Sequence, residues 1–179
     1  MTYIRTVCCS NQQVSYFWRF TPQGRHIANT VDKCVQVLRD NGYLLEGCLE
    51  ADCEARIEDV LELARLGKLE PVKHVKRVSG SPVRDMYEMR WQDIAVATED
   101  RVSGLKDRVS VLLRLYYLEE GGPWIVGLHV HEKWVGGTEE EIKARQDEEI
   151  DKATEIALSA ESDDWGVLEL AEIRKVGRI

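Results

Sequence analysis

The chain has 179 residues, 44% hydrophobic and 31% charged, with 24 Lys and Arg against 32 Asp and Glu for a net charge of -8. That balance suits an ordinary globular domain and excludes a disordered, collagen-like or disulfide-stapled chain. It argues against gripping nucleic acid with the whole surface; no apolar run reaches the ~18 residues of a membrane span, and the start lacks a secretion-signal pattern, so a cytoplasmic protein is expected.

Residues 14–20 are aromatic-rich and run into the turn signal Thr21-Pro22-Gln23-Gly24, which predicts a strand. Val31, Cys34, Val35 and Leu38 then recur at helical spacing from Asn29, with Gly42 just beyond them as a C-cap. Residues 50–66 repeat the design through Ile57, Val60, Leu61 and Ala64 and stop at Gly67. A basic connection, 71–80, leads to the loop Ser79-Gly-Ser-Pro82. In 86–91, Met86, Glu88 and Arg90 alternate with Tyr87, Met89 and Trp91, the pattern of a half-buried strand. Residues 92–108 carry charges, Gly104 and little periodicity, and read as a loop. The apolar runs 109–118 and 124–135 flank Gly121-Gly122 and predict a long hairpin. Thr138 with Glu141 is a capping box, opening a helix marked by Ile142, Ile150, Ala153 and Ala157 that ends near Ala160. After the turn at 163–166, residues 167–179 form either a last strand or a short helix. This order implies an α+β fold, an antiparallel sheet with helices packed on one side.

Five cysteines without an export signal read as reduced thiols, with Cys34 and Cys53 as small buried hydrophobes. Cys48 and Cys53 lack a second ligand pair. His129 and His131 share a strand face but lack a third ligand, so no metal is predicted.

Six motifs in order, across residues 50–158, resemble the RelE/HigB toxin superfamily, most of all its phage-derived HigB-like branch. They are Met86-Tyr-Glu-Met-Arg90, Arg114-Leu-Tyr-Tyr117, Gly121-Gly122, Ile125-Val-Gly-Leu-His129, Lys133, and Thr138-Glu-Glu-Glu-Ile142. The resemblance implies a RelE/ParE-like core over 50–160, with 1–45 as a strand-and-helix extension and 161–179 as a tail. It implies a toxin–antitoxin toxin: a ribosome-dependent endoribonuclease acting on mRNA and neutralised by a small helix-turn-helix antitoxin. Three departures stand out, the first being that the chain as a whole is acidic whereas family members that cleave messenger RNA tend to be basic. The stretch before Arg114 is longer than in the family, and the closing helix, basic in the family, here carries eleven Asp or Glu against three Lys or Arg over residues 138–164.

Such enzymes let the RNA's own 2′-hydroxyl attack the adjacent phosphate, which requires a proton acceptor, cations on the phosphate and a proton donor for the leaving oxygen, but neither metal nor cofactor. By resemblance, Arg114, His129, Lys133 and Tyr117 are the catalytic candidates, and Lys76, Arg84 and Arg90 the RNA-binding ones. Read on their own, Arg114 is also consistent with a snorkelling strand arginine, Arg90 with a partner of Glu88, and His129 and Tyr117 with core residues. Residues 65–114 carry net +4, eleven basic against seven acidic, and the rest of the chain -12. A non-catalytic binding module on the same fold, gyrase-inhibitor-like or an accessory phage protein, is the alternative. A scaffold using Trp91, Trp124 and Trp134 as an exposed interface is a second. If the acidic helix folds over the basic groove, its carboxylates compete with RNA phosphates.

Overall fold

The computed structural model describes residues 6–99, 104–119, 121–160 and 165–176, apart from the side chains of residues 174 and 176. A 3-10 turn at Val7–Cys9 precedes β1 (Ser15–Trp18), α1 (His26–Asp40), α2 (Cys48–Arg65), β2 (Val75–Arg77), β3 (Met86–Glu99), β4 (Lys106–Glu119), β5 (Trp124–Glu132), α3 (Glu139–Ala160) and α4 (Leu168–Val176). One five-stranded sheet has the order β1-β5-β4-β3-β2. β2 through β5 pair antiparallel, as expected for β3, β4 and β5, but β1 runs parallel to β5, so the sheet is mixed rather than wholly antiparallel. Gly127 allows this edge: a Cβ there would meet the Tyr16 hydroxyl at 2.6 Å and the Trp18 ring at 2.8 Å.

The expected loop over 92–108 is instead the end of a long β3–β4 arm, paired from Ile94↔Val111 to Glu99↔Lys106, with 100–103 outside the described residues. A register shift between Trp91 and Ile94 explains why the alternation escapes notice. Buried residues run Tyr87, Met89, Trp91, then Ile94 and Val96, so the period of two slips by one residue at the bulge.

Strand alternation splits the core into two clusters. Tyr87, Met89, Trp91, Leu113, Leu115, Tyr117 and Ile125 pack with α1 and α2, which bury Val31, Cys34, Val35 and Leu38 and Cys53, Ile57, Leu61 and Ala64 respectively. These two helices pack against each other on one face of the sheet. The alternate residues Met86, Tyr116, Leu118, Trp124, Val126 and Leu128 pack with Ile150, Ala153, Ala157 and Ala160 of α3 and with Trp165 and Leu170 at α4. Trp91 and Trp124 are therefore core residues, 2% and 6% exposed, not an exposed aromatic interface. The segment after 166 is helix rather than strand; α4 is tied to the β1–α1 turn by the Leu168 amide on the Pro22 carbonyl and by Glu169 accepting from the Gly24 amide. All five cysteines are free, and Cys34 and Cys53 are fully buried. No helix is long and apolar enough to cross a membrane.

Candidate functional site

The outer end of the α3 face is not apolar. Register places Glu88 opposite Tyr116 and Tyr116 opposite His129; one row on, it places Arg90 opposite Arg114 and Arg114 opposite His131. Residues two apart on a strand share a face, so two adjacent rows of polar side chains cross the sheet. Lys76 on β2 pairs with Glu88 at one end. Lys133, its amide bonded to the Leu112 carbonyl, closes the other.

Arg114 is 3% exposed. Its Nη1 donates to the main-chain carbonyls of Leu113 at 2.7 Å and Trp91 at 3.2 Å, while its Nε–H has no partner. Burial lowers its pKa, against the pull of the Glu88 carboxylate. Arg90 Nε lies 3.1 Å from Glu88 Oε1, an ion pair by distance but outside hydrogen-bond geometry, and its Nη1 donates to the Val72 carbonyl. Tyr116, His129 and His131 form a ring stack with centroids 5.2 to 6.5 Å apart and planes within 20°. The Tyr116 hydroxyl and His131 Nε2 are buried without partners. Burying polar atoms unpaired is costly, so this end of the sheet carries a cost that no protein contact offsets.

The cations lie in one another's field. The Lys133 ammonium is held below the usual lysine range by burial first and then by Arg114, with Arg90 and Lys76 adding to the effect and Glu88 opposing it. His131 is pushed down from 6.5, chiefly by burial, and stays neutral. Its Nδ1 lies 3.0 Å from the Glu132 carbonyl, which puts the ring proton on Nδ1 and leaves Nε2 a bare acceptor. On the α3 side, Glu149 Oε2 is 2.5 Å from His129 Nε2 and Glu149 Oε1 accepts from Lys152 at 2.6 Å. Burial pushes the Glu149 carboxyl up, but these two hydrogen bonds together with the fields of His131 and His129 outweigh it and the net shift is downward.

Of the seven candidates, the fold gathers Lys76, Arg90, Arg114, His129 and Lys133. Tyr117 lies on the opposite face, fully buried, stacked on Tyr87 and bonded through its hydroxyl to Thr6 at 3.0 Å. Arg84 is exposed in the loop just before β3, beside Pro82, Asp85 and Leu158. Neither belongs to the cluster. Tyr116, His131, Glu88 and Glu149 do; the first two share faces with Arg114 and His129 at a spacing of two, a signal already in the sequence, whereas Glu149 joins only through helix packing. Among the described residues, no group of three His, Cys, Asp or Glu side chains is placed to hold a metal ion.

Beside the cluster, a cleft of about 810 Å³ opens between the end of α1 and the first half of α3, reaching His131, Lys133 and Glu149. Trp134 forms part of its wall, with the Arg145 guanidinium 3.9 Å over the indole.

No family model, curated protein or solved structure matches this chain. The likeness to the RelE/HigB toxins therefore rests on the sequence motifs.

Proposed function

We propose that this protein is a toxin of the ribosome-dependent endoribonuclease kind, with mRNA as substrate and a small helix-turn-helix protein as its antitoxin. The observation that carries the reading is the convergence of Lys76, Arg90, Arg114, Lys133 and His129 on one sheet face. Cations packed closely enough to depress one another's protonation favour an anionic ligand, and a phosphodiester fits that demand. α3 packs on β5 and the near side of β4, while Lys76 remains exposed and Arg90 half-buried beyond it.

In this reading Lys76, Arg90 and Lys133 hold the phosphate oxygens, and the buried Arg114 guanidinium adds its charge from beneath. Once RNA displaces Glu149 and the ring proton sits on Nδ1, His129 Nε2 takes the 2′-hydroxyl proton as the 2′-oxygen bonds to phosphorus. The bond to the 5′-oxygen breaks, and Lys133, already a stronger acid than an ordinary lysine, protonates it. Glu149 now occupies His129 Nε2 and stands where it would compete with RNA phosphate.

The test is RNA cleavage on translating ribosomes by wild type, His129→Ala, Lys133→Ala and Glu149→Gln. Loss in the first two variants and a gain in the third support the enzyme. A second reading, a non-catalytic protein-binding module, is favoured by the burial of Arg114 and the engagement of its guanidinium with main-chain carbonyls. Equal, negligible cleavage by all four proteins would favour that reading.

A further inference from the structure

The cleft between α1 and α3 differs in chemistry from the cationic rows beside it. Four carboxylates line it, Asp40, Glu132, Glu148 and Glu149, against Lys133 and Arg145. Glu132 is held by neutral donors, Asn41 Nδ2 and Tyr43 OH at 2.7 Å each, so its charge is positioned without being cancelled. His131, 7% exposed, is a further wall, and its unpartnered Nε2 is an acceptor. Carboxylates and a bare imidazole nitrogen together call for N–H donors.

The floor of the cleft is a strand edge. β1 stops at Trp18, opposite Gly127, so among the described residues no strand continues beside 128–132. The Lys133 amide bonds to Leu112, and 131 and 129 follow it in the pairs that face β4. The alternate residues Val130 and Glu132 therefore turn their amides the other way, toward the line that β1 has vacated. Both residues line the cleft.

We propose that this cleft is a docking site for an extended, Lys- or Arg-containing segment of a partner protein, which continues the line of β1 along β5 and places its cationic side chains against Asp40, Glu132, Glu148 and His131. Main-chain pairing supplies affinity and the carboxylates select for positive charge. The cleft shares Lys133 and Glu149 with the proposed cleavage site, but docking of the segment requires no RNA contact.

The probe is a fluorescein-labelled peptide of alternating Lys and Val, six residues long, followed by anisotropy on the full chain. An alternating Glu and Val peptide and free spermidine are the comparisons. The Lys peptide should bind, the Glu peptide should bind at least tenfold more weakly, and the double variant Asp40→Asn with Glu148→Gln should lose at least tenfold. The Val130 and Glu132 amide resonances should shift with the Lys peptide and not with spermidine. Equal binding of both peptides, equal competition by spermidine, unchanged affinity in the double variant, or amide shifts confined to other strands would each overturn the proposal. None of these measurements involves ribosomes, so failure here and failure of RNA cleavage are separately visible.

Discussion

Tyr116 and Tyr117 are neighbours in one strand, both fully buried, and they show the two faces of the sheet in miniature. Tyr117 stacks on Tyr87 and its hydroxyl meets Thr6, which also bonds Glu119 and so fastens the N-terminal turn to the end of β4. Tyr116 stacks on two histidines and its hydroxyl meets nothing. The α1–α2 face is finished: apolar side chains fill it and its polar atoms are paired. The outer part of the α3 face holds two arginines, two histidines and Glu88, with donors and an acceptor left over. Stability alone does not favour such an arrangement, and a ligand that completes it gives the unpaired atoms a use.

The largest expected effect is at Glu88, 4% exposed, the buried carboxylate facing Arg90 and Arg114. Glu88→Ala leaves buried charge uncompensated and should cost about 3 to 5 kcal/mol in urea unfolding; a loss below about 1 kcal/mol, the worth of a surface pair, would mean that the cluster is solvated and the contrast between faces is false.

Next is His131. In the unfolded chain a histidine takes up a proton below about 6.5, whereas burial keeps His131 neutral to lower pH. The unfolded state thus binds more protons in that window, so stability is complete above pH 6.5 and falls as pH drops below it, by at most about 1.4 kcal/mol per pH unit. Urea midpoints between pH 7.5 and 5.5 should decline in wild type and decline less in His131→Gln. Identical slopes would place the imidazole in solvent.

The tyrosine pair sharpens the comparison at smaller scale. Tyr117→Phe should cost about 0.5 to 1.5 kcal/mol by removing the buried hydrogen bond to Thr6, which keeps Glu119 and the Cys8 amide, and Tyr116→Phe should cost nothing or stabilise, since its hydroxyl is buried without a partner. Equal losses from both would show that Tyr116 has a partner in solution. The smallest effect is at Thr138, whose exposed hydroxyl accepts from the Glu141 amide while the Glu141 carboxylate accepts from the Thr138 amide. Thr138→Ala should cost about 0.5 kcal/mol, the low end for a cap. Amide exchange at the start of α3 is expected to quicken, while Ile150 to Ala160, seated on the sheet, should not change.

Local rules carried a large part of this fold. The helical spacing of Val31, Cys34, Val35 and Leu38, the repeat in Ile57, Leu61 and Ala64, the Thr138–Glu141 box and the alternation in 86–91 each involve neighbours within a turn or a pleat, where propensity and periodicity act directly. Arg114, His129 and Lys133 came instead from the resemblance to the RelE/HigB motifs, which local periodicity does not supply. What the sequence left open depends on partners far along the chain. The parallel seat of β1 on β5, the bulge that hides Ile94 and Val96, and the fate of Tyr116 against Tyr117 follow from register, and a register shift of one residue exchanges the two faces. Glu149 shows this most simply: α3 presents it as one more charge on an acidic helix, and only the packing of Ile150, Ala153 and Ala157 on the sheet brings it to His129. Sequence alone determined which side chains carry charge and which segments bury apolar stripes. Tertiary structure decided which charges meet, because that depends on how strands slide and helices dock, and those choices are made by long-range burial rather than by any local pattern.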